Sequence, residues 1–373
     1  MPKTRGVVLI IDDADDGDGR TTKRLLSSVM NCIVRHPNDV VAGDLRRAKL
    51  VLVDFRLTNW PDRDNQKTPS LKPRDGIALI AVLRSNLPQL KASPVAFALN
   101  SGMLIDLNGG RPSAGREHAI AQSVDLEWVF AKGAGRENFL IAVKSLTEAV
   151  AALPARWPTA VSTRNRIQSL LAVPTGAKWS QSAIEALDRS YPPHDIMIGN
   201  GSGIAVLRWL LHVILPYPTF LLDQRYLAAR LNLEPRSFSE LLRGKEGSAI
   251  RRKLSSFEYK GILKDFSGPR WWRPGLEQWI WERTKGRAFD RESIHGLVRS
   301  TFSKSVEFTT KQSPVVCLDD ELRPTDDLIE LASSVEVKPD GWPSFAESAR
   351  IPATAADDPN FAALVPQSEK NKL

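Results

Sequence analysis

Leu50-Val-Leu-Val-Asp-Phe-Arg-Leu57 sets the fold of the first part of the chain. Four aliphatic residues run without interruption into an acid, as in a strand buried on both faces. An Asp at a strand's carboxyl end is often the cap of the next helix. That reading suits Asp12 or Asp13 taken singly, but not Asp54, which is followed by an apolar residue in a run that continues to Leu57. Working outward, Val7–Ile11, Val40–Ala42, Leu50–Val53, Val95–Leu99 and Trp128–Phe130 read as five short strands. Arg20–Ile33, Gly76–Asn86 and Glu137–Leu153 carry the apolar spacing of helices between them. This alternation predicts an α/β fold, a five-stranded parallel doubly wound sheet with helices on both faces. Such sheets bind ligands at the carboxyl ends of their strands.

Asp12 and Asp13 close the first strand and Asp54 closes the third. With those two strands adjacent, the three carboxylates meet at one rim, where their mutual repulsion is relieved by a hard divalent cation. Mg²⁺, which takes oxygen ligands, is the expected cofactor. Lys132 follows the fifth strand and brings a counter-charge to the same rim. Asp13-Ala-Asp-Asp-Gly-Asp-Gly19 invites a calcium-loop reading, but its glycine falls at position five and an acid at six, the reverse of what that loop needs.

The acidic pair after strand one, the Asp-x-Arg-Leu after strand three and the Lys after strand five resemble the receiver domain of bacterial response regulators. The resemblance covers about 145 residues, near two fifths of the chain. It implies that Asp54 accepts a phosphoryl group from a histidine kinase or other phosphodonor. It further implies that Asp12 and Asp13 help hold Mg²⁺ and that Lys132 contacts the phosphoryl oxygen. The family's Ser/Thr after strand four aligns with Leu99, with Asn100 or Ser101 as shifted substitutes, and its Lys-Pro is here Lys132-Gly133. Gly43–Ala48 leaves little room for a second helix, and insertions follow at Thr58–Arg74 and Met103–Ala119. These departures also suit a pseudo-receiver that is gated by a ligand or a partner.

The 373 residues divide by charge and composition into four stretches: a receiver-like domain (5–153), a helical connector (154–215), a winged-helix-like domain (216–312) and an acidic, Pro-rich tail (313–373). The formal charge is +4 over residues 1–150, +11 over 151–315 and −7 over 316–373, so the middle attracts a polyanion and the tail repels one or folds back onto the middle. Within the middle, Phe220-Leu-Leu-Asp-Gln-Arg-Tyr-Leu-Ala-Ala-Arg-Leu-Asn-Leu-Glu-Pro-Arg-Ser-Phe-Ser-Glu-Leu-Leu242 fits a helix-turn-helix. Ala228 would stand at the helix crossing, Asn232 in the turn and Pro235 at the start of the second helix. Leu227, Leu231, Leu233, Phe238 and Leu241 would pack inward, and Arg236, Ser237, Ser239, Glu240 and Arg243 would face out. Two strands around Ser267-Gly268 would make a wing. Arg251, Arg252, Lys264, Arg270 and Arg273 complete the candidate DNA contacts, most of them to phosphate. Trp271 and Trp272 either stack on bases or anchor a helix by burial.

Beyond Ser313, Pro314-Val-Val-Cys-Leu is expected to start one strand and one helix, and Ser368-Glu-Lys-Asn-Lys372 a disordered end. Trp342 and Phe345 make either a docking peptide or part of the tail's own packing. Two lone cysteines, no apolar run near 20 residues and no signal peptide indicate a reduced, cytoplasmic protein away from membranes. The five histidines lack metal or triad spacing and no glycine-rich phosphate loop follows a strand, so an enzyme is not expected. Two functions remain. One is a response-regulator-like protein whose receiver controls a DNA-binding output. The other is a pseudo-receiver adaptor that binds protein partners through its inserted loops or tail, without phosphotransfer or DNA.

Overall fold

The computed structural model describes residues 6–14, 18–60, 72–90, 93–102, 107, 117–132, 135–155, 157, 160–197, 202–244, 247–302 and 306–371. The expected insertions fall mainly at 61–71 and 103–116, and with residues 15–17 of the acidic string and Gly133 they lie almost wholly outside the described residues. The chain forms two units. The first comprises Met1–Leu170, Pro193–His212 and Ile262–Ser267, and the second Leu171–Pro192, Val213–Gly261 and Gly268–Leu373.

In the first unit β1 (Val7–Ile11), α1 (Asp18–Leu26), β2 (Asn31–Arg35), α2 (Ala42–Arg47), β3 (Ala48–Asp54), α3 (Gly76–Leu90), β4 (Ala96–Ser101), α4 (Glu117–Ser123), β5 (Trp128–Ala131) and α5 (Arg136–Ala152) follow one another. The strands pair in parallel in the order β2-β1-β3-β4-β5. Leu9, Ile11, Val51, Val53, Phe97 and Leu99 pack on one face with Leu45 of α2, Leu79, Ile80 and Leu83 of α3 and Ile120 of α4. The alternate residues Val8, Ile10, Leu50, Leu52, Ala96 and Ala98 are buried as well, as are Leu26 of α1 and Val143, Leu146 and Val150 of α5. A sheet covered on both sides requires unbroken aliphatic runs, as in Leu50–Val53.

The second strand is Asn31–Arg35 and not Val40–Ala42, and α1 ends at Leu26 instead of running to Ile33. The hydroxyls of Ser27 and Ser28 turn back onto the carbonyls of Lys23 and Leu25, at 2.6 and 3.1 Å, as the helix ends. β2 lies at the sheet edge and is half-exposed, so its sequence carries neither a fully buried run nor a clean alternation. The stretch at Gly43–Ala48 does hold a helix, the six-residue α2.

Next come α6 (Ala160–Leu170), α7 (Ser180–Arg189), α8 (His194–Met197) and α9 (Gly203–Trp209). They do not form a connector of their own, because α7 belongs to the second unit and the other three to the first.

The second unit continues with β6 (Leu221–Leu222), α10 (Gln224–Arg230), α11 (Pro235–Arg243), α12 (Gly247–Leu254), β7 (Trp271–Trp272), α13 (Arg273–Arg283) and α14 (Arg291–Phe302). The Asp223 carboxylate caps α10 by accepting the N–H groups of Arg225 and Tyr226. Asn232 takes φ +54° in the turn, Ala228 is fully buried, and Pro235 opens α11. Leu242, one position beyond Leu241, is the buried leucine at the end of α11. Around Ser267-Gly268, where two strands are expected to make a wing, the described residues form turns and isolated bridges, and Ile262–Ser267 belongs to the first unit. Tyr259 N–H donates to Arg270 O at 2.8 Å and Trp272 N–H to Phe257 O at 2.7 Å, closing a loop over 260–269, while β7 also pairs with β6. Trp271 and Trp272 are buried, Trp272 stacked on Phe220, so they anchor the core and offer no face to a base.

The region after 313 is folded. β8 (Pro314–Leu318) and β9 (Pro324–Glu330) form one antiparallel pair, and β10 (Ser334–Val337) and β11 (Ala349–Pro352) another. Leu318, Val335, Val337, Ile351, Phe361 and Val365 share a core there. The expected helix after β8 is therefore strand β9, and Gln367–Lys370 forms a last helical turn, α15, at the expected disordered end. Trp342 packs edge-on to Tyr217, with ring centroids 4.9 Å apart, which favours the packing reading of that aromatic. Among the described residues, no helix is long and apolar enough to cross a membrane.

Candidate functional site

β1 and β3 are neighbours in the sheet although β2 follows β1 in sequence, so the strand order reverses between them. Sheets of this kind form a crevice at that point, beyond the carboxyl ends of the strands. Asp12 and Asp13 follow β1 and Asp54 ends β3. One carboxylate oxygen from each lies within 4.8 Å of the others.

Each acid is held by its surroundings. Asp12 Oδ1 accepts Ala14 N–H at 2.9 Å, and Asp12 Oδ2 accepts Gly19 N–H at 2.6 Å in the first turn of α1. A Cβ on Gly19 would stand 2.8 Å from Asp12 Cβ, so glycine is what lets the carboxylate approach that N–H. Asp13 accepts Asn59 N–H. Behind Asp54, Gly76 N–H donates to Phe55 O at 2.8 Å, and a Cβ on Gly76 would come within 2.4 Å of Asp54 O. The start of α3 is thus pressed against the backbone that carries Asp54.

Lys132 Nζ donates to Asp54 Oδ1 at 2.6 Å and to Asp18 Oδ2 at 2.7 Å. Burial works to lower the Lys132 pKa, but bonds to two carboxylates outweigh it and hold the ammonium above its ordinary range. Asp54 is raised as well, first by burial and further by the Asp12 charge, against the pull of Lys132. Both shifts upward are consistent because Asp54 shares its lysine with Asp18.

The donor set consists of hard carboxylate oxygens, with no thiolate or imidazole, and so suits a hard cation rather than a softer metal. A cavity of about 400 Å³ at this rim is lined by the three acids, Asp18, Lys132 and also Ser101 and Gly102. Ser101 pairs with Ala131 in the β4–β5 ladder, and its carbonyl accepts Lys132 N–H at 2.7 Å. Of the three candidates after strand four, Ser101 is therefore the pocket residue. Leu99 belongs to the core, and Asn100 Nδ2 reaches Thr22 Oγ1 at 3.5 Å. Asp18 went unnoticed in the sequence because only the folded α1 brings it to Lys132.

The nine candidate DNA contacts are placed less uniformly. Arg236 and Arg243 are exposed on α11, with Ser237 and Ser239 half-buried beside them. Arg236 stands 3.3 Å from Asp327 of β9, and Arg225 of α10 stands 2.7 Å from Asp326. The acidic strand thus pairs with both helices of the helix-turn-helix. Arg251 and Arg252 are exposed on α12, and Lys264 is exposed in the first unit. Arg270 is buried and donates to Leu215 O, and burial lowers its pKa. It is a structural residue rather than a surface contact. Arg273 is bound to Glu277 at 2.7 Å and Glu347 at 3.3 Å.

No family model, curated protein or solved structure matches the chain. The parallel sheet of order β2-β1-β3-β4-β5 and its aspartate cluster are compatible with a receiver fold and with binding of a metal ion.

Proposed function

We propose that the protein is a response-regulator-like signalling protein, in which phosphorylation of Asp54 in the presence of Mg²⁺ controls a basic output unit. The observation that carries this reading is the meeting of Asp12, Asp13 and Asp54 within 4.8 Å, with Lys132 Nζ 2.6 Å from Asp54. Asp54 is the acid of the three that ends a central strand and contacts the lysine. Its Oδ would attack the phosphorus of a phosphohistidine or an acyl phosphate, forming an O–P bond as the bond to the donor's leaving group breaks. Bound Mg²⁺ would neutralise charge on the phosphoryl oxygens. Asp12 and Asp13, fixed by backbone N–H groups, would hold the cation, and Lys132 would turn from Asp54 to a phosphoryl oxygen. The added charge would redistribute the Lys132 contacts with Asp18 and Asp54, a local electrostatic switch.

Acetyl phosphate with Mg²⁺ tests the first half. Intact mass is expected to show one acid-labile phosphoryl group on the native chain and none on Asp54→Asn. No modification, or modification that persists in Asp54→Asn, refutes phosphotransfer. For the output, the exposed face of α11 supports duplex binding through Arg236 and Arg243. Phosphate contacts make such binding fall steeply with salt.

A second reading, the pseudo-receiver adaptor, is favoured by one observation. Asp326 and Asp327 already pair with Arg225 and Arg236, and Arg236 is one of the positions a duplex would use. If Asp326→Asn/Asp327→Asn fails to create or strengthen duplex binding at low salt, the adaptor is the better account.

A further inference from the structure

A cleft of about 1080 Å³ lies wholly within the second unit, apart from the helix-turn-helix face that carries Arg236. Seven large hydrophobic side chains are exposed among the described residues, and three of them, Trp281, Phe289 and Leu331, line this one cleft. A fourth, Tyr191, packs its ring against Phe345, which also lines it. Such clustering is unlike the scattered single apolar residues of an ordinary surface and marks a binding site.

Two of these side chains are held out in the open. Trp281 is 56% exposed and Phe289 92%. The end of α13 explains the first. Gly286 N–H donates to Trp281 O at 2.9 Å, and Lys285 and Gly286 take φ +53° and +84°, the left-handed turn that closes a helix. A Cβ on Gly286 would stand 3.3 Å from the indole, so the turn backs part of the ring while more than half of the residue stays open. The turn sequence Trp281-Glu-Arg-Thr-Lys-Gly-Arg-Ala-Phe289 sets three cations between two aromatics, and Arg283, Lys285 and Arg287 are all exposed.

Inside the cleft stand Arg189, Arg230 and Arg273. Glu277, which lines the cleft, pairs with Arg273 at 2.7 Å and Arg230 at 3.6 Å, and Glu347 pairs with both arginines as well. A phosphate would exchange with these carboxylates there, whereas Arg189 bonds the Glu185 carbonyl. Arg283, Lys285 and Arg287 lie in the chain between the lining residues Trp281 and Phe289, so exposed cations flank the cleft as well as standing inside it, which suits a polyanion better than a small anion. Flat aromatic faces standing in solvent suit stacking, whereas a peptide's side chains need closed sockets. We infer that this cleft binds single-stranded nucleic acid, with bases stacked on Trp281 and Phe289 and phosphates along the arginines and Lys285. The inference does not depend on phosphotransfer at Asp54 or on duplex binding by α11.

Fluorescence polarisation of the full chain with a labelled oligothymidylate of about 20 nucleotides tests it, alongside a duplex of the same length and an acidic, aromatic-containing peptide. The single strand is expected to bind in a strongly salt-dependent way. Trp281→Ala and Phe289→Ala should each weaken binding about tenfold or more. Both side chains are exposed, so the variants should keep the native circular dichroism spectrum. Arg236→Ala should leave single-strand binding unchanged while reducing any duplex binding. The inference is overturned if the single strand fails to bind at low salt, or if the folded double aromatic variant binds it as well as the native chain. It is also overturned if the peptide binds at these residues and the oligonucleotide does not.

Discussion

At the carboxyl end of the sheet, Asp12, Asp13, Asp18 and Asp54 line a cavity with two cations, Arg56 and Lys132, the latter bonded to Asp18 and Asp54. Just before β5, in the same unit, Asp125 and Glu127 face two, Arg84 and Arg208. Glu127 is 1% exposed, yet its carboxylate accepts Phe97 N–H and bonds both arginines, with Arg208 Nε at 2.7 Å. His212 Nε2 lies 3.0 Å from Glu127 O in the same cluster. The second group closes its own charge with side chains from α3 and α9. The first leaves an excess of negative charge around an open cavity. Glu127, which the chain buries and neutralises, serves the architecture, whereas the acids gathered in excess at the rim are compatible with binding of a metal ion.

The largest effect should come from opening the closed network. Glu127→Ala leaves Arg84 and Arg208 with Asp125 but removes their buried carboxylate and the acceptor of Phe97 N–H, and is expected to cost about 3 kcal/mol of stability, read by urea unfolding. A loss near 1 kcal/mol would mean that water satisfies the arginines and that the two groups differ less than their geometry indicates. Next comes the open group. Mg²⁺ at about one hundred times its Kd should stabilise the chain by about 2.7 kcal/mol, and EDTA or Asp54→Asn should remove that increment. Burial and Asp12 raise the Asp54 pKa, so the stability linked to its protonated form is present in acid and is lost as pH rises through that raised value. Cation and proton therefore compete, and the Mg²⁺ increment should grow from acid toward neutral pH. An increment that does not depend on pH would sever the link to Asp54.

The smallest effect concerns His212. Burial lowers its pKa, so the unfolded chain takes up the proton first. Its contribution to stability is present above roughly pH 6.5 and is lost as pH falls from there toward the lowered value. His212→Gln should blunt the fall of the urea midpoint between about pH 7 and 5. The blunting should be partial, because His295 in the second unit is shifted the same way.

Much of the fold was legible because its signals are local. Leu50–Val53 is aliphatic because both of its faces are covered, and Asn232 and Pro235 mark the turn and the start of α11 through their backbone preferences. The acids at the ends of β1 and β3, and the lysine after β5, could be found by locating the strands. β2 was misplaced for the converse reason. As a half-exposed edge strand, Asn31–Arg35 carries little pattern, while Val40 and Val41 look like a strand and in fact lead into α2. Arg270 and Arg236 are both arginines in a basic region, and nothing near either in sequence tells that one is buried against Leu215 O and the other meets Asp327.

By itself the amino-acid sequence determined the alternation of strands and helices, the rim acids with their lysine, and the helix-turn-helix, because periodicity, capping and allowed φ depend on residues a few positions apart. Only the tertiary structure decided that Ser101 enters the pocket, that an acidic strand lies on Arg225 and Arg236, and that Trp281 and Phe289 stand open over one cleft. Those outcomes rest on strand register, ion pairs and burial between residues up to 101 positions apart, such as Arg225 and Asp326. Charge and exposure are settled by what lies near in space, which local pattern does not encode.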